Sequence, residues 1–540
     1  MADSTHTGVA EAHMAPRGEP PIAVSMPMFS IVTPVYNPPR EAFEKCVQSV
    51  QEQAFSDWEW CLVDDCSTAS WVRARLAQLQ ASDLRIRVAY RATNGGIVAA
   101  TNDALSLAQG EFVALLDNDD ELHPDALHEV EKVTSSDALV DYIYTDEDKI
   151  SEDNVHYDRF RKPRWSPERF LAQNYCSHLS VIRRSLVDEV GRFRPGFDGA
   201  QDYDLLLRIV ERARKIVHIP KLLYHWRAVA GSTALAQEEK PYAFAAAMRA
   251  VELALERQQI KASVDGSGPY PYQRVLRQLR HHPKISIIIP TCGTLKTVFG
   301  KHSCLVVEAV QSILQKTDYL DYEIVVLIDA DSTEESWNGL RALNDDRVQL
   351  VRYDLPFNFA AKCNLGAVVS SGEYVLMLND DTLIVDPKWL TVLAGYLEEP
   401  DVAMVGPLLL LEDGRIQTAG HSNNPTPHNF RYGWPADSPG EFGILAVARE
   451  CEGVTGACAL IRREAFDEVG GMSMFFPRAF NDVDFSYKLI EAGHRIIWTP
   501  HTWLYHFETA SRPPTLESSE VQLLNGRWQR RFGADQLCRL

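Results

Sequence analysis

Short runs of apolar residues recur along the chain, and longer segments with helical periodicity separate them. In these longer segments apolar residues return every three or four positions, as in the stripe Phe43, Val47 and Val50. The short runs are apolar at nearly every position, which is typical of strands buried on both faces of a sheet: SIVTPV, WCLVDD, FVALLD, SIIIPT, IVVLID and YVLMLN. This alternation predicts an α/β fold with mostly parallel sheets flanked by helices.

The acidic residues follow the same order in both halves of the chain. In each half, one strand ends in a carboxylate, a later strand ends in an acidic cluster, and a third acid pair begins an amphipathic stretch. A tyrosine-histidine pair follows at nearly the same distance, so that His225 follows Asp202 and His506 follows Asp482. Because solenoid units repeat every 20–50 residues, this much longer repeat predicts two copies of a whole domain.

The length of the chain agrees with this division, because 540 residues exceed what one hydrophobic core accommodates. We assign residues 28–235 to the first domain and 283–515 to the second. Residues 236–282 are expected to form a helical linker, and 516–540 a closing helix. The small, polar residues 1–27 are expected to be disordered.

Composition narrows the class of protein. Hydrophobic residues make up 45% and charged residues 24%, as in ordinary globular proteins, and the net charge of −20 argues against a nucleic-acid partner. The ten cysteines lack CxxC spacing, which favours reduced thiols. Without an apolar run of membrane-spanning length or a signal-peptide core, the sequence indicates a cytoplasmic protein.

Acidic clusters occur where the strands end, and ligands of parallel sheets bind at these ends. Asp117 and Asp119 stand at alternate positions in the first half, and Asn379, Asp380 and Asp381 follow the matching strand in the second. Two carboxylates there can share a hard divalent cation. A turn with local Asp and Asn hydrogen bonds is the alternative, but the presence of the cluster in both halves favours a metal site.

Acids also end the second strand of each half, as Asp64 and Asp65 and as Asp329. A carboxylate at this place can accept hydrogen bonds from a ribose hydroxyl or a base N–H, and a capped turn is the alternative. Asp202 and Asp482 come directly before amphipathic helices. Each is either a helix cap or a general base whose pKa is raised by burial and neighbouring carboxylates.

The late histidines His225 and His506 are either core residues or ligands of the metal or diphosphate, and the repeat favours the second interpretation. The acidic run TDEDKI from Thr145 is expected to be mostly a solvated loop that could line an acceptor cleft. NGGIVAATN from Asn94 lacks both GxGxxG and GK[ST] spacing, which argues against Rossmann-type NAD binding and P-loop hydrolysis.

With these residues in place, each half from Phe29 to about Pro514 resembles the family 2 glycosyltransferases of the GT-A fold. The first copy carries this resemblance in YTDEDK, WSPE, GAQDYDLLLR and LYHWR. The second resembles a rhamnosyltransferase-like branch in LNDDT, VTGACALIRREAFDEVGG, FNDVDFSYKL and YHFETASR. Tandem proteins of this kind are typical of bacterial O-antigen and capsule assembly.

The resemblance implies inverting transfer from a nucleoside-diphosphate sugar with Mn²⁺ or Mg²⁺ as cofactor. It implies the following roles: Asp202 and Asp482 as catalytic bases; Asp64, Asp65 and Asp329 at the nucleoside; Asp117, Asn379 and Asp380 at the rest of the nucleotide sugar; and Asp119, Asp381, His225 and His506 at the metal, which Asp117 would share. One departure from this pattern is Ala330, which stands where the first copy has Asp65 when the two motifs are aligned letter by letter.

The family also implies a glycan acceptor, lipid-linked and elongated at the inner face of the cytoplasmic membrane. The basic and aromatic run RWQRRF from Arg527 is the candidate for peripheral membrane attachment, and a helix end packed on the second domain is the alternative. Two other functions stay open: one copy is a structural or glycan-binding module, or the chain is a nucleotidyltransferase. The latter needs a basic, Gly-rich loop after the first strand, where this chain has NPPREAFE and TCGTLKTV.

Overall fold

The computed structural model describes residues 26–228, 241–507, 517–533 and 537–538. Nearly all of the segment 1–27, for which disorder is predicted, lies outside these residues, as does the end of the motif YHFETASR. The described chain forms two large mixed sheets that are flanked by helices. The predicted α/β architecture with two sheets is therefore confirmed.

The first sheet has nine strands. They are β1 Phe29–Val35, β2 Trp58–Asp64, β3 Ile86–Tyr90, β4 Phe112–Leu115, β5 Glu121–Leu122, β6 Val140–Ile150, β7 His156–Phe160, β8 Ser180–Arg183 and β9 Lys215–Arg227. The helices are α1 Arg40–Gln51, α2 Ser70–Ser82, α3 Gly96–Leu107, α4 Ala126–Ser136, α5 Pro167–Ala172, α6 Arg184–Glu189 and α7 Gln201–Val210. The strand order is β3-β2-β1-β4-β8-β6-β9-β5, with β7 on β6.

A helix and a small hairpin connect the two sheets: α8 Pro241–Arg257, β10 Ala262–Asp265 and β11 Arg274–Arg277. Arg277 at the end of β11 forms ion pairs with Glu168 of α5 and with Glu399, so it joins both halves of the chain. The halves also meet directly, since the rings of Phe160 and Phe442 stack at 4.1 Å. The Ser166 hydroxyl donates a hydrogen bond to the Glu450 carboxylate across the same boundary.

The second part of the chain contains a sheet of ten strands and two short hairpins. Its strands are β12 Ile285–Thr291, β13 Leu295–Val298, β14 Lys301–Cys304, β15 Tyr322–Asp329, β16 Val348–Tyr353, β17 Tyr374–Leu378, β18 Thr382–Ile384, β19 Val402–Leu410, β20 Ile416–Thr418, β21 His421–Ser422, β22 His428–Asn429, β23 Arg449–Glu450, β24 Cys458–Arg462 and β25 Arg495–His506. Its helices are α9 Leu305–Lys316, α10 Glu334–Ala342, α11 Phe359–Val369, α12 Trp389–Tyr396, α13 Arg463–Glu468 and α14 Asn481–Glu491, followed by α15 Ser518–Trp528.

The second sheet repeats the first strand by strand, in the order β16-β15-β12-β17-β24-β19-β25-β18. In both sheets the strands whose ends carry the predicted acids run parallel to the first strand. A hydrogen bond between neighbouring strands is repeated as well: the Ser30 hydroxyl donates to Glu59 at 2.7 Å, and the Ser286 hydroxyl donates to Glu323 at 2.7 Å. This repeated bond provides a fixed point for aligning the copies.

The acidic run TDEDKI is not a solvated loop, so that prediction is wrong. It lies in β6, between β8 and β9, and its three acids are buried. Each acid has a basic or imidazole partner: Asp146 meets His218 at 2.7 Å, Glu147 meets the buried Lys162 at 2.8 Å, and Asp148 meets two histidines. A charged strand is tolerated inside the sheet because these partners compensate its carboxylates.

The closing helix α15 packs on α14 through its aromatic and basic residues. Trp528 is buried and its indole N–H donates to Asp484 at 2.8 Å, and Arg527 pairs with the same carboxylate at 2.9 Å. Arg530 and Arg531 form ion pairs with Glu491. Among the described residues, none of the helices combines the length and apolarity needed to cross a membrane.

Candidate functional site

The strand-end acids of the first domain lie in a compact turn between β4 and β5. The Asn118 side-chain amide donates to the Pro34 carbonyl at 2.8 Å, which fixes the turn against the end of β1. Asp120 is fully buried and accepts hydrogen bonds from the Tyr224 hydroxyl at 2.5 Å and the Arg227 backbone N–H at 2.7 Å. These bonds orient Asp117 and Asp119 on either side of Asn118.

The carboxylates of this turn repel each other strongly. Burial, together with the neighbouring charges of Asp202 and Asp119, raises the pKa of Asp117 to about 8. Burial also raises the pKa values of Asp119 and Asp120, and the charges of Asp119 and Asp117 contribute to the increase at Asp120. Like charges held together in this way are stabilised by a cation. The effect of the Asp202 charge on Asp117 also means that the predicted base lies beside the strand-end acids.

The two acids at the start of α7 have different surroundings. Asp204 is buried and forms ion pairs with Arg208 at 2.8 Å and with Arg194, so it holds α7 in place. Asp202 has no such cation among its described contacts; the Gln201 side-chain amide donates to it at 3.3 Å. Burial raises the pKa of Asp202 to about 6. This value suits a general base that works near neutral pH.

The second domain repeats the arrangement with a histidine in direct contact. Asp380 accepts a hydrogen bond from the Thr291 hydroxyl at 2.5 Å. The His506 Nε2 atom lies 3.2 Å from Asp381 Oδ1 and 3.2 Å from the Asn379 amide nitrogen. Burial favours a higher pKa for Asp381, but the charge and hydrogen bond of His506 bring its pKa below the ordinary value.

A cavity of about 190 Å³ joins the strand-end cluster of the second domain to the predicted base, since Asn379 and Asp482 both line it. Asp482 accepts hydrogen bonds from the Gly456 N–H at 3.0 Å and the Val483 N–H at 2.8 Å. Asp484 is buried behind it, against α15. Phe480, directly before α14, has a φ of 59°, a backbone strain of the kind that is found at functional sites.

One acid at the end of the second strand of each domain is paired with a cation. Asp65 accepts hydrogen bonds from the Gly95 and Gly96 N–H groups at 2.8 Å and pairs with Arg91 at 2.9 Å. Asp329 pairs with the fully buried Lys362 at 2.5 Å. These contacts hold the start of α3 and of α11 against the neighbouring strand end.

The structure changes the alignment of these acids between the copies. When Glu59 is matched with Glu323 through their serine partners, Asp65 corresponds to Asp329 and Asp64 to Ile328. The alignment by letters had paired Asp64 with Asp329 and Asp65 with Ala330. The repeated hydrogen bond decides the register, which the letters alone could not do. Asp64 is buried and accepts a hydrogen bond from the Ser67 N–H at 3.0 Å.

His225 occupies the position of His506 in β9 but has a different partner. Its Nδ1 lies 2.6 Å from Oδ1 of Asp148, which belongs to the acidic run TDEDKI in β6. Another histidine stands near the first strand-end cluster: His178 can present a ligand atom within 4.8 Å of Asp117 and Asp120. Burial lowers the pKa of His178 to about 3, which keeps it neutral and able to bind a cation. Sequence reasoning missed His178, since no motif marks it.

The residues present fit a divalent metal ion in both domains. In the first, the acids Asp117 and Asp120 converge with His178, and their raised pKa values show a lack of compensating charge. In the second, Asp381 and His506 offer one oxygen and one nitrogen at 3.2 Å separation. The carboxylate oxygens in these sets are the ligand type that suits Mg²⁺ or Mn²⁺.

Comparisons with known proteins identify the family of the chain. The chain is 40% identical over 527 residues to an uncharacterized protein, y4gI, of Sinorhizobium fredii, covering 94% of this chain and 57% of the relative. It is 35% identical over 491 residues to the O-antigen biosynthesis protein RfbC of Myxococcus xanthus, covering 90% of this chain and 38% of the relative. The chain thus spans between about a third and three fifths of these two relatives.

A shorter relative and a solved structure extend the comparison. The putative colanic acid biosynthesis glycosyl transferase WcaA of Escherichia coli is 31% identical over 212 residues, covering 36% of this chain and 73% of the relative. A crystal structure of part of S. aureus TarS in complex with UDP covers 42% of this chain and 65% of its own, at 22% identity and a TM-score of 0.35. Residues 30–191 and 286–470 both match the family described as glycosyl transferase family 2. The chain therefore belongs to glycosyl transferase family 2 and contains two copies of the domain that defines this family.

Proposed function

We propose that both domains are metal-dependent, inverting glycosyltransferases that elongate a cell-surface glycan from nucleoside-diphosphate sugars. One observation carries the proposal: in each domain a carboxylate at a helix start faces the strand-end acids. Asp202 does so through its charge on Asp117, and Asp482 through the cavity that it shares with Asn379. Both matched family segments end before these two acids, so their role rests on the geometry.

The donor would bind with its diphosphate at the strand ends. Asp117, Asp119 and Asp120 with His178, and Asp380 and Asp381 with His506 and Asn379, are the residues that would hold Mn²⁺ or Mg²⁺ there. When bound, the ion supplies Lewis-acid compensation for the charge that develops on the leaving diphosphate. Because these side chains are fixed by hydrogen bonds, they hold this arrangement before the donor arrives.

We retain Asp64, Asp65 and Asp329 as the residues that contact the nucleoside. Asp65 Oδ1 accepts the Gly95 N–H and lies 2.9 Å from Arg91 Nε, whereas Asp65 Oδ2 accepts the Gly96 N–H and has a second lone pair. Arg91 forms an ion pair with Asp65, and Lys362 forms one with Asp329. The carboxylates can therefore accept a further hydrogen bond from a ribose hydroxyl or a base N–H.

The chemical step needs one base in each domain. Asp202 or Asp482 takes the proton of the acceptor hydroxyl while its oxygen attacks the anomeric carbon and the bond to the diphosphate breaks. The reacting sugar passes through an oxocarbenium-like state, as in glycosidases. With a single carboxylate acting as base rather than as nucleophile, the acceptor attacks opposite the leaving group, and the configuration inverts.

The acceptor that we propose is a lipid-linked glycan of the O-antigen or capsule type at the inner face of the membrane. The names of RfbC and WcaA, with their O-antigen and colanic acid functions, support this choice. Since the basic residues at the end of α15 and directly after it are ion-paired with the second part of the chain, membrane attachment would need a partner protein or another surface.

The test is to separate the two sites. Asp202→Asn should stop one transfer and leave the other, and Asp482→Asn should do the reverse, each with a loss of about 10²–10⁴-fold. Asp198→Asn and Asp467→Asn, at exposed positions of the first and second halves of the chain, are the matched controls. Transfer is followed with a panel of nucleotide sugars and Mn²⁺, with the anomeric configuration of the product determined by NMR.

The outcomes distinguish the alternatives. If only one of the two variants loses activity, the other domain is a structural or glycan-binding module. If both variants keep full activity, neither acid is a base and the proposal fails. A product with retained configuration would contradict the single-base mechanism even where both variants are inactive.

A further inference from the structure

Three strands of the first sheet bring a carboxylate and two imidazoles together at one edge. Asp148 comes from β6, His156 from β7 and His225 from β9. Each offers one ligand atom, and the three atoms lie within 4.8 Å of one another. The His225 Nδ1 is 2.6 Å from Asp148 Oδ1, and the His156 Nδ1 is 3.1 Å from Asp148 Oδ2. Both rings therefore turn the same nitrogen toward one carboxylate.

We propose that Asp148, His156 and His225 form a second metal site, for a borderline transition-metal cation of the Zn²⁺ class. Two imidazole nitrogens and one carboxylate oxygen are typical ligands of Zn²⁺ and are a poor match for Mg²⁺, which prefers oxygen. The ring planes of the two histidines are 83° apart with centroids 4.7 Å apart, so the rings do not block each other. Small side-chain adjustments would bring all three atoms to bonding distance of one ion.

Burial gives the site a fixed side and an open side. The Asp148 side chain is 3% exposed and that of His225 16%, whereas that of His156 is 45% exposed. The carboxylate and one imidazole are thus fixed inside the sheet, while the other imidazole lies on the solvent-exposed side of the site. A site with three protein ligands and solvent access leaves the fourth position of a tetrahedral ion to water.

The second domain provides an internal comparison, because it has the histidine but lacks the carboxylate. Strand pairing sets Glu147 opposite Tyr224 in the first sheet and Leu410 opposite Tyr505 in the second. The following residue is Asp148 in one copy and Leu411 in the other. Where the carboxylate is missing, the histidine lies beside the strand-end acid instead, as His506 does with Asp381. The late histidine thus serves different sites in the two copies.

The position of this site suggests its effect. Residue 148 and residue 156 flank the turn that joins β6 to β7, and His225 is paired with Glu121 of β5. An ion at this point would link the β6–β7 hairpin to β9. Strand β9 pairs with β5, which directly follows the first strand-end cluster. Its occupancy would therefore stabilise the first domain without taking part in the chemistry of the diphosphate.

The experiment measures Zn²⁺ bound to the full chain by equilibrium dialysis and elemental analysis, with millimolar Mg²⁺ present. The wild-type protein should retain a Zn²⁺ ion that His156→Ala loses, with affinity reduced by at least about 100-fold, because even outer-sphere partners are worth 10–100-fold. His128→Ala, which removes an exposed histidine on α4, is the matched control and should keep the ion. Co²⁺ in place of Zn²⁺ should give visible absorption that His156→Ala abolishes.

Asp148→Asn provides a second variant that keeps the shape of the side chain. It should lose the same ion and the same Co²⁺ spectrum while its circular dichroism is unchanged. If His156→Ala and Asp148→Asn bind as much Zn²⁺ as the wild-type chain, the proposal is wrong. Asp148 is then a hydrogen-bonding bridge between two imidazoles, and any Zn²⁺ that is bound lies elsewhere.

Discussion

Arg277 is the residue whose replacement should most weaken the connection between the two halves of the chain. Its side chain is 3% exposed and its guanidinium forms two bonds to Glu168, at 2.8 and 2.5 Å, besides its ion pair with Glu399. We consider Arg277→Met, which roughly preserves the volume and removes the charge. Glu399 retains its ion pair with Arg495, so Glu168 carries the loss.

The size of the effect follows from burial. Glu168 is also 3% exposed, and a buried carboxylate that loses its cation typically costs about 3–5 kcal/mol of unfolding free energy. For domains of about 200 residues, 1 kcal/mol shifts Tm by about 2–4 °C, so we expect a decrease of about 6–20 °C. Arg274→Met is the matched control on the same strand. Its ion pair with Asp265 spans 3.7 Å at the surface, and its loss should cost no more than about 1 kcal/mol.

The pH dependence tests the cause. Burial raises the pKa of Glu168 above its ordinary value even with Arg277 present, and removal of the cation raises it further. The folded variant then binds more protons than the unfolded chain, so its stability decreases as pH rises through that window. The Tm difference from wild type should be smaller at pH 5 than at pH 8. Glu168→Gln in the Arg277→Met background should recover part of the loss.

Calorimetry and urea unfolding, followed by tryptophan fluorescence, measure both quantities. A Tm decrease no larger than that of Arg274→Met would refute the reasoning, as would a loss that is the same at pH 5 and pH 8. The first result would mean that Arg277 contributes little to the connection. The second would mean that packing, rather than charge, explains its effect.

Three further predictions concern the sites. Because the pKa of Asp202 is raised to about 6 and a base must be ionised, first-domain transfer should fall about tenfold per pH unit below pH 6; a flat profile would exclude Asp202 as the base. Asp381→Ala should abolish second-domain transfer with the circular dichroism spectrum unchanged, and wild-type activity should be lost in chelator; full activity in chelator would contradict a metal role. Lys362→Met should lower the unfolding free energy by about 3–5 kcal/mol, because it leaves Asp329 without its cation. Denaturant unfolding measures this loss, and a loss no larger than that of the exposed control Lys388→Met would contradict the prediction.

The sequence was sufficient for the repeat, the strands and the general position of the acids. Apolar runs such as β1 and β12 are buried at every residue, so the tendency to exclude water already specifies them as central strands. Acids that directly follow such strands must lie at one edge of the sheet, which is why Asp117 and Asp381 were predicted together with their neighbours. Asp202 and Asp482 were predicted from their place directly before amphipathic stretches, and they lie in the first turns of α7 and α14.

Only the tertiary structure decided which partner each polar side chain has. The charged run in β6 looked like a solvated loop, because its compensating residues, Lys162 and His218, are distant in sequence. His225 and His506 stand in the same motif, yet one contacts Asp148 and the other Asp381. The physical reason is that burial and strand order follow from local hydrophobic pattern, whereas the energy of a buried charge depends on residues that meet only after the sheet has formed.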